Sequence, residues 1–471
     1  MLAFAASPAA ADSLVSTLSD TYQLNQQIAA ERAAVQGKDE LVPQAKSNLW
    51  RPHVVFEPQV GLTRTPQTLK DTIQPTMPGT SSLKFTQRND NLANDRLVQI
   101  NATMNVFDSG MTAAQLRQAK GLVNAERGIL KQTEEQVFQS AATQYGQIVL
   151  NELLVQYAHD TMQDTARLRD LVKPLQEQHF VTVTSVTQLE EEYQGAVVSY
   201  EQAKGAAKAA RAQFLAVVGR PAGKIEGFPK IEPMPAALDA GIKIALAENP
   251  TVQAARAELG AAQAAVDVVK AQLLPVFSVF GGLSHDWNNA HFLANNTLIP
   301  GGLPPHYSDT NTPSATIGLR MTMPLYQGGA EYAAVRQQID AVLQNQRTLI
   351  NTETSVRGAV ETAWQTLVSA RAQTTAANAQ VVAAKQALDG MKRQFQDGTE
   401  TITDVLTEER NLSSAQASAA QAGYSYFTAV VAFQVALGRF TAKDLKLSVP
   451  LYDPLDHYQA VKDKWIGFGA D

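Results

Sequence analysis

The sequence predicts a mixed α and β fold, mainly α, made of two structural repeats, each with two transmembrane β-strands and long coiled-coil helices. Three observations predict it. Four short segments alternate apolar and polar residues, the chain reads as two similar halves, and each half carries one very long helical pattern. Val98-Gln99-Ile100-Asn101-Ala102-Thr103-Met104-Asn105-Val106 and Ala315-Thr316-Ile317-Gly318-Leu319-Arg320-Met321-Thr322-Met323 are the clearest alternating segments. A period of two over about 9–11 residues is what a strand with one face in lipid and the other in water requires. Four strands cannot close a barrel, for which about eight is the minimum, and an open edge cannot sit in lipid. Several copies must therefore share one pore.

Composition sets the frame. The 471 residues, 18% of them charged with a formal net charge of −6, suffice for two or three domains and give no basic bias toward nucleic acid. No run of 18 apolar residues exists, so a transmembrane helix is not expected. The absence of cysteine removes disulfides, thiolate chemistry and lipidation on an N-terminal Cys. Ala9 and Ala11 resemble a signal-peptidase site, so residues 1–11 read as a signal-peptide remnant or a disordered terminus.

The halves match by their punctuation. Asn25 pairs with Asn249, Pro52 with Pro275, Phe107-Asp108-Ser109-Gly110 with Tyr326-Gln327-Gly328-Gly329, and Val218-Gly219-Arg220 with Leu437-Gly438-Arg439, at offsets of 219 to 224. The first repeat is expected over 12–220: a helix to Trp50, strands at about 53–63 and 97–107, a long helix at 111–178 and a return helix at 186–218. A linker at 221–236 follows. The second repeat is expected over 237–439, with a helix at 250–274 opened by the cap Asn249-Pro250, strands at about 276–285 and 314–325, a long helix at 330–394 and a return helix at 402–437. Residues 440–471 form a C-terminal segment. Both inter-strand loops are expected at about 30 residues, as on the outer side of a membrane barrel.

In the first long helix Leu116, Ala119, Val123, Leu130, Val137, Ala141, Ile148 and similar positions recur every three or four residues, in spacings that sum to sevens and favour a coiled-coil seam. A helix of about 68 residues rises roughly 100 Å, and the return helix plus the 250–274 helix cover nearly the same descent. Pro174 should kink or end the last turns of the first long helix.

These elements resemble the TolC family of bacterial outer-membrane channel proteins over nearly the whole chain, from about Asp12 to Lys446. The resemblance rests on Asn249-Pro250 with Ala254-Ala255-Arg256-Ala257-Glu258-Leu259, the Leu274-Pro275 exit, the two strand-to-helix bends, the reversal Phe395 to Leu406, and Ala436-Leu437-Gly438-Arg439. It implies a homotrimer in the outer membrane of a Gram-negative cell, with a 12-stranded β-barrel continued by a long periplasmic α-helical barrel and an equatorial belt formed in part by 221–236 and 440–471. The implied role is a passive exit duct for type I secretion or multidrug efflux. Its partners would be a periplasmic adaptor protein, an inner-membrane ABC or RND-type transporter and outer-membrane lipid, with no nucleic acid and no cofactor. Protein and small-molecule cargo are both compatible with it.

The resemblance also assigns sites. Asp404 matches an acidic ring at the pore constriction, with Glu400 and Glu408 as supporting acids; mutual repulsion of three like charges should ease protonation of at least one. Family gates latch an aromatic residue and an Arg against polar groups of the first tip; here Phe395 and Glu400 face Thr187 and Gln188, so the family's hydroxyl and positive charge are both missing. Adaptor docking maps to the tips: Phe180, Val181, Thr182 and Val183 on the first, Asp397, Gly398 and Thr399 on the second. The first tip lacks the usual Gly, and the first half has Asn25-Gln26 where the family has Asn-Pro.

No catalytic residue and no metal ligand set is expected. His285 and His291, flanking Asp286, read as parts of a polar outer loop, and Glu190-Glu191-Glu192 as a solvated helix face. Gly219 to Lys224 lacks the phosphate-loop spacing. Two other classes compete: a constitutively open porin-like channel, opposed by the 100 Å helical section, and a structural trimeric coiled-coil surface protein, opposed by the paired amphipathic strands.

Overall fold

The computed structural model describes residues 12–74, 79–178, 181–229, 235, 237–296, 304 and 306–469. The elements follow in chain order. Helices α1 (Leu14–Leu24), α2 (Gln26–Asp39) and α3 (Leu41–Lys46) precede strands β1 (His53–Ile73) and β2 (Leu83–Phe107) and helices α4 (Met111–Glu177) and α5 (Val183–Val218). Then come α6 (Leu238–Glu248), α7 (Pro250–Ala271), β3 (Val276–Asn296), β4 (His306–Thr322), α8 (Ala330–Gln396), α9 (Ile402–Leu437) and α10 (Pro454–Val461). Helices α4 and α8 are each 67 residues long, and α5 and α9 are each 36. The residues form two compact units: Met1–Leu41, Ala119–Ala262 and Ala341–Asp471 make one, Val42–Gln118 and Gln263–Asp340 the other.

The second unit holds one antiparallel sheet in the order β1-β2-β3-β4. Its strands outrun their expected lengths. Every residue from His53 to Ile73 pairs with one from Leu83 to Thr103, and pairing of β2 with β3 runs outward to Asn296. The 30-residue loops expected from the sequence are therefore largely strand. Alternation fades beyond about Leu62 because polar residues occupy both faces there, yet the backbone ladder needs no particular side chain to continue. His285 and His291 accordingly lie within β3 rather than in a loop, His285 stacked on Trp287 at 3.9 Å between ring centroids.

The bend from β2 into α4 is built by its own side chains. Asp108 accepts from the backbone N–H groups of Gly110 (3.1 Å) and Thr112 (2.7 Å), which caps the helix. Ser109 and Gly110 take φ of 52° and 86°, and Ser109 Oγ donates to the Pro275 carbonyl at 2.6 Å. The helix expected to reach Trp50 stops at Lys46; Trp50 has a φ of 61°, outside helical geometry, and its N–H donates to the carbonyl of Asn105.

In the first unit, small residues set helix spacing. A Cβ on Gly121 would meet Ala261 at 2.9 Å, and one on Gly128 would meet Ala254 at 2.9 Å. These contacts lie one heptad apart and run in opposite directions along α4 and α7, so the two helices pack antiparallel along a seam of small residues. One core gathers Phe138, Tyr145, Ile148, Phe214, Phe427 and Phe440, all almost fully buried. Tyr145 donates to the carbonyl of Glu226 at 2.7 Å, tying the segment after α5 to α4, where Asp12 forms a parallel bridge with Ile225. A second core joins α6, α8 and α9 through Ala245, Val360, Leu367, Val430 and Phe433.

The same joint occurs twice. The Asn25 side chain caps α2, accepting from Gln27 and Ile28, and donates to the carbonyl of Val217 at 3.1 Å. Asn249 caps α7 through Thr251 and donates to the carbonyl of Ala436 at 3.2 Å. Each receiving helix ends two residues on, at Gly219 or Gly438, both left-handed. The next residue is an Arg that binds an acid near the opposing helix end: Arg220 holds Asp12 and Asp20, and Arg439 holds Glu248.

Candidate functional site

Two regions carry the residues singled out from the sequence, the sheet and the helix tips.

Registration across the sheet sorts the side chains. Residues opposite one another in antiparallel strands share a face. Val54, Ala102, Gly281 and Ile317 form one such row, and Phe56, Ile100, Leu283 and Ala315 another. Met104, Val279 and Leu319 extend the same face, and Phe107 and Phe277 continue it past a bulge, with ring centroids 6.0 Å apart. This face is apolar and bare: Ile317 is 85% exposed, Leu319 82% and Val60 79%. The opposite face carries Gln99, Asn101, Thr103, Ser278, Ser284 and Thr316. Phe280 departs from that pattern; it lies over Gly318, where a Cβ would meet its ring at 2.7 Å, and Arg320 stacks on it at 4.7 Å. Farther out on the same face stand Trp287 and Tyr307, the latter paired with the His291 ring at 4.5 Å; Trp and Tyr are the residue types enriched at membrane interfaces.

At the tips, α8 ends in a reversal. Gly398 has a φ of 74°, and the N–H of Thr399 returns to the Gln394 carbonyl at 3.0 Å, which completes a Schellman turn. Thr401 and Asp404 then form a capping box for α9: the Asp404 carboxylate accepts from the Thr401 N–H at 3.1 Å and from its hydroxyl at 2.5 Å. These bonds, the hydroxyl's foremost, hold the Asp404 carboxyl below the usual aspartate range. Local bonding thus opposes the easier protonation expected of a charge ring. Glu400 is exposed and Glu408 half-buried.

The latch candidates fall into separate environments. Phe395 packs with Val172, Leu189, Leu388, Ile402 and Leu406 in a small apolar cluster, which Val181 and Val186 also join. Its lack of a hydroxyl suits that cluster. Thr187 donates to the carbonyl of Val183 in its own helix, whereas Gln188 accepts from the Thr403 hydroxyl at 3.3 Å and so bridges the two tips. Thr182 caps α5 through the N–H of Ser185. Val183, Asp397 and Thr399 are exposed, and Phe180 lies outside the described residues, as do residues 1–11. The acidic run is not uniformly solvated: Glu192 is bound by Arg410 and Glu190 lies 3.7 Å from Arg169, while Glu191 is exposed.

Sequence reasoning missed the buried acids. Glu409 is 6% exposed, and Glu134 and Glu135 accept from the backbone N–H groups of Ala442 (2.5 Å) and Phe440 (3.2 Å). The spacing Ile402, Val405, Leu406, Glu409, Leu412 places Glu409 in an apolar stripe, a signal present in the sequence. Among the described residues, no group of three His, Cys, Asp or Glu side chains could hold a metal ion, and no helix is long and apolar enough to cross a membrane.

Residues 241–439 match the family described as outer membrane efflux protein. The outer membrane efflux protein BepC of Brucella suis is 28% identical over 462 residues, 98% of this chain and 92% of BepC. The outer membrane protein TolC of Salmonella enteritidis is 31% identical over 139 residues, 30% of this chain and 28% of TolC. Among solved structures, CusC, a protein that forms a transmembrane channel, superposes with a TM-score of 0.68 at 15% identity, covering 90% of this chain and 91% of its own.

Proposed function

We propose that this TolC-like outer membrane efflux protein is the passive exit duct of a tripartite export system. Three copies each contribute a four-stranded sheet to a 12-stranded barrel, and their long helices continue it as a periplasmic tunnel. The observation that carries this reading is the sheet itself, with one bare apolar face, one polar face and two outer strands, β1 and β4. An unpaired strand edge in lipid leaves backbone groups unsatisfied at several kcal/mol each, so β4 of one copy must pair with β1 of the next. The polar face then lines the lumen. The matched lengths of α4 with α8 and of α5 with α9, and the twinned Asn25 and Asn249 joints, support an internal repeat that lets one chain supply two similar sixths of a tunnel wall.

Docking belongs at the tips. The exposed Val183, Asp397 and Thr399 are free to meet an adaptor, and an inner-membrane ABC or RND-type pump behind the adaptor supplies the energy that a passive duct lacks. The Asp404 carboxylates of three copies form the constriction ring. A trimeric surface fibre would leave the apolar sheet face without a function. Sedimentation of detergent-extracted protein is expected to give three copies per particle with cation-selective conductance in planar bilayers; a stable monomer or dimer as the inserted species would overturn the reading.

A further inference from the structure

Between α4, α5 and α9 lies a cleft of about 580 Å³ whose wall includes one carboxylate with nothing to bind. Glu409 is more than nine-tenths buried, and its Oε2 has no hydrogen-bond partner. The neighbouring charges are already engaged. On α8, Lys392 lies 3.7 Å from Asp164 of α4, and on α9 itself Arg410 holds Glu192 of α5. A buried carboxylate oxygen without a donor is costly and calls for one.

We propose that this cleft binds a small organic ammonium ion, whose N–H groups donate to the Glu409 carboxylate while its hydrocarbon part lies against Leu154, Ala158 and Ala196. The cleft is far larger than a bare ion and falls in the size range of small-molecule sites. Its wall mixes that apolar strip with acceptors for the remaining N–H groups, among them Asn151 and Ser413. An anionic ligand is disfavoured by Glu409, the charge of the cleft wall left unpaired once Arg410 and Glu192 neutralise each other. Burial pushes the Glu409 carboxyl up to about 7, with Asp164 and Glu192 adding to the rise and Lys392 opposing it. An arriving ammonium therefore displaces a proton in part of the molecules at neutral pH, and binding tightens as pH rises toward 8. The inference stands on the cleft alone and does not depend on the export reading.

The test is calorimetric titration of the full-length protein in detergent with phenethylammonium chloride, with 2-phenylethanol as the neutral control of matching shape. The amine is expected to bind in the millimolar range or tighter and to release protons, seen as a heat that depends on the buffer. Glu409→Gln should weaken it about tenfold or more, the scale of a charge-assisted contact. Glu361→Gln, at an exposed acid of α8 outside the cleft lining, should leave it unchanged. Ala196→Leu, which keeps the carboxylate but narrows the cleft, should also weaken binding, so a folding defect in the Gln variant would not decide the matter. Equal affinity for amine and alcohol, undiminished binding by Glu409→Gln, or no binding of the amine at millimolar concentration would each overturn the proposal.

Discussion

Gly438 lies so close to Asn249 that a Cβ built on the glycine would come within 2.5 Å of the asparagine Cα. The twin position is looser: a Cβ on Gly219 would meet only the Leu24 side chain, at 3.3 Å. Both glycines have positive φ, 78° and 88°. Gly219→Ala should therefore cost mainly the backbone penalty, ~1 kcal/mol, whereas Gly438→Ala adds a clash with backbone and should cost at least ~2 kcal/mol. Thermal unfolding of the two variants checks this. Equal losses would mean that the Asn249 joint can open without cost.

Adjacent residues on β4 should tolerate charge differently. Ile317 faces the bare apolar side and Thr316 the polar side. Ile317→Arg should cost about 2–4 kcal/mol if it sits near the bilayer midplane, and Thr316→Arg should insert normally and shift conductance. Met104→Arg and Thr103→Arg on β2 should divide the same way. The yield of heat-stable oligomer in membranes, compared within each pair, is the measurement; equal yields would reverse the assignment of faces.

Asp404 caps α9, and substitutions can separate that role from the pore-ring role proposed for it. Asp404→Asn keeps an acceptor for the Thr401 N–H, while Asp404→Ala removes it. Both should abolish block of the pore by polyvalent cations applied from the periplasmic side. Only the Ala variant should also speed hydrogen exchange over the first turn of α9. Because the folded carboxyl is held below its ordinary value, its charge is present above that value and is lost only as pH falls through the lowered one. Cation block should thus persist below pH 3.8, the ordinary aspartate value. Loss of block above that pH would show that repulsion within a ring outweighs the capping bonds.

The segment after α9 is pinned by acids whose pKa shifts run the other way. Burial pushes Glu135 up to about 8 and raises Glu134 as well, although the Phe440 and Ala442 N–H groups oppose it. The folded state then holds protons that the unfolded chain releases near 4.5, so this contribution is full below that pH and is lost as pH rises toward 8. Stability should fall by at most ~1.4 kcal/mol per pH unit across that window through Glu135, with Glu134 acting in the same direction. Glu135→Gln, which can still accept from Phe440, should flatten the slope. Limited proteolysis after residue 440 as a function of pH reads it directly, and cleavage that does not change with pH would contradict it.

Much of this was legible in the sequence because it is local. Alternation over 98–106 and 315–323 reports which face is apolar, and the registered sheet places those residues on one side as the period of two requires. Asn25, Asn249, Gly219 and Gly438 announce helix ends through their own capping and backbone preferences, and their twinned spacing reveals the recurring joint. Tertiary structure decided what no window of sequence contains. The ladder carries the strands some ten residues past the point where alternation stops, because backbone pairing depends on the partner strand and not on side-chain polarity. It turned Phe395 into part of an apolar cluster and Asp404 into a cap. The burial of Glu409 depends on packing against α4 and α5, whose cleft-lining residues Asn151 to Ala206 lie more than 200 positions away in sequence, beyond the reach of any local window.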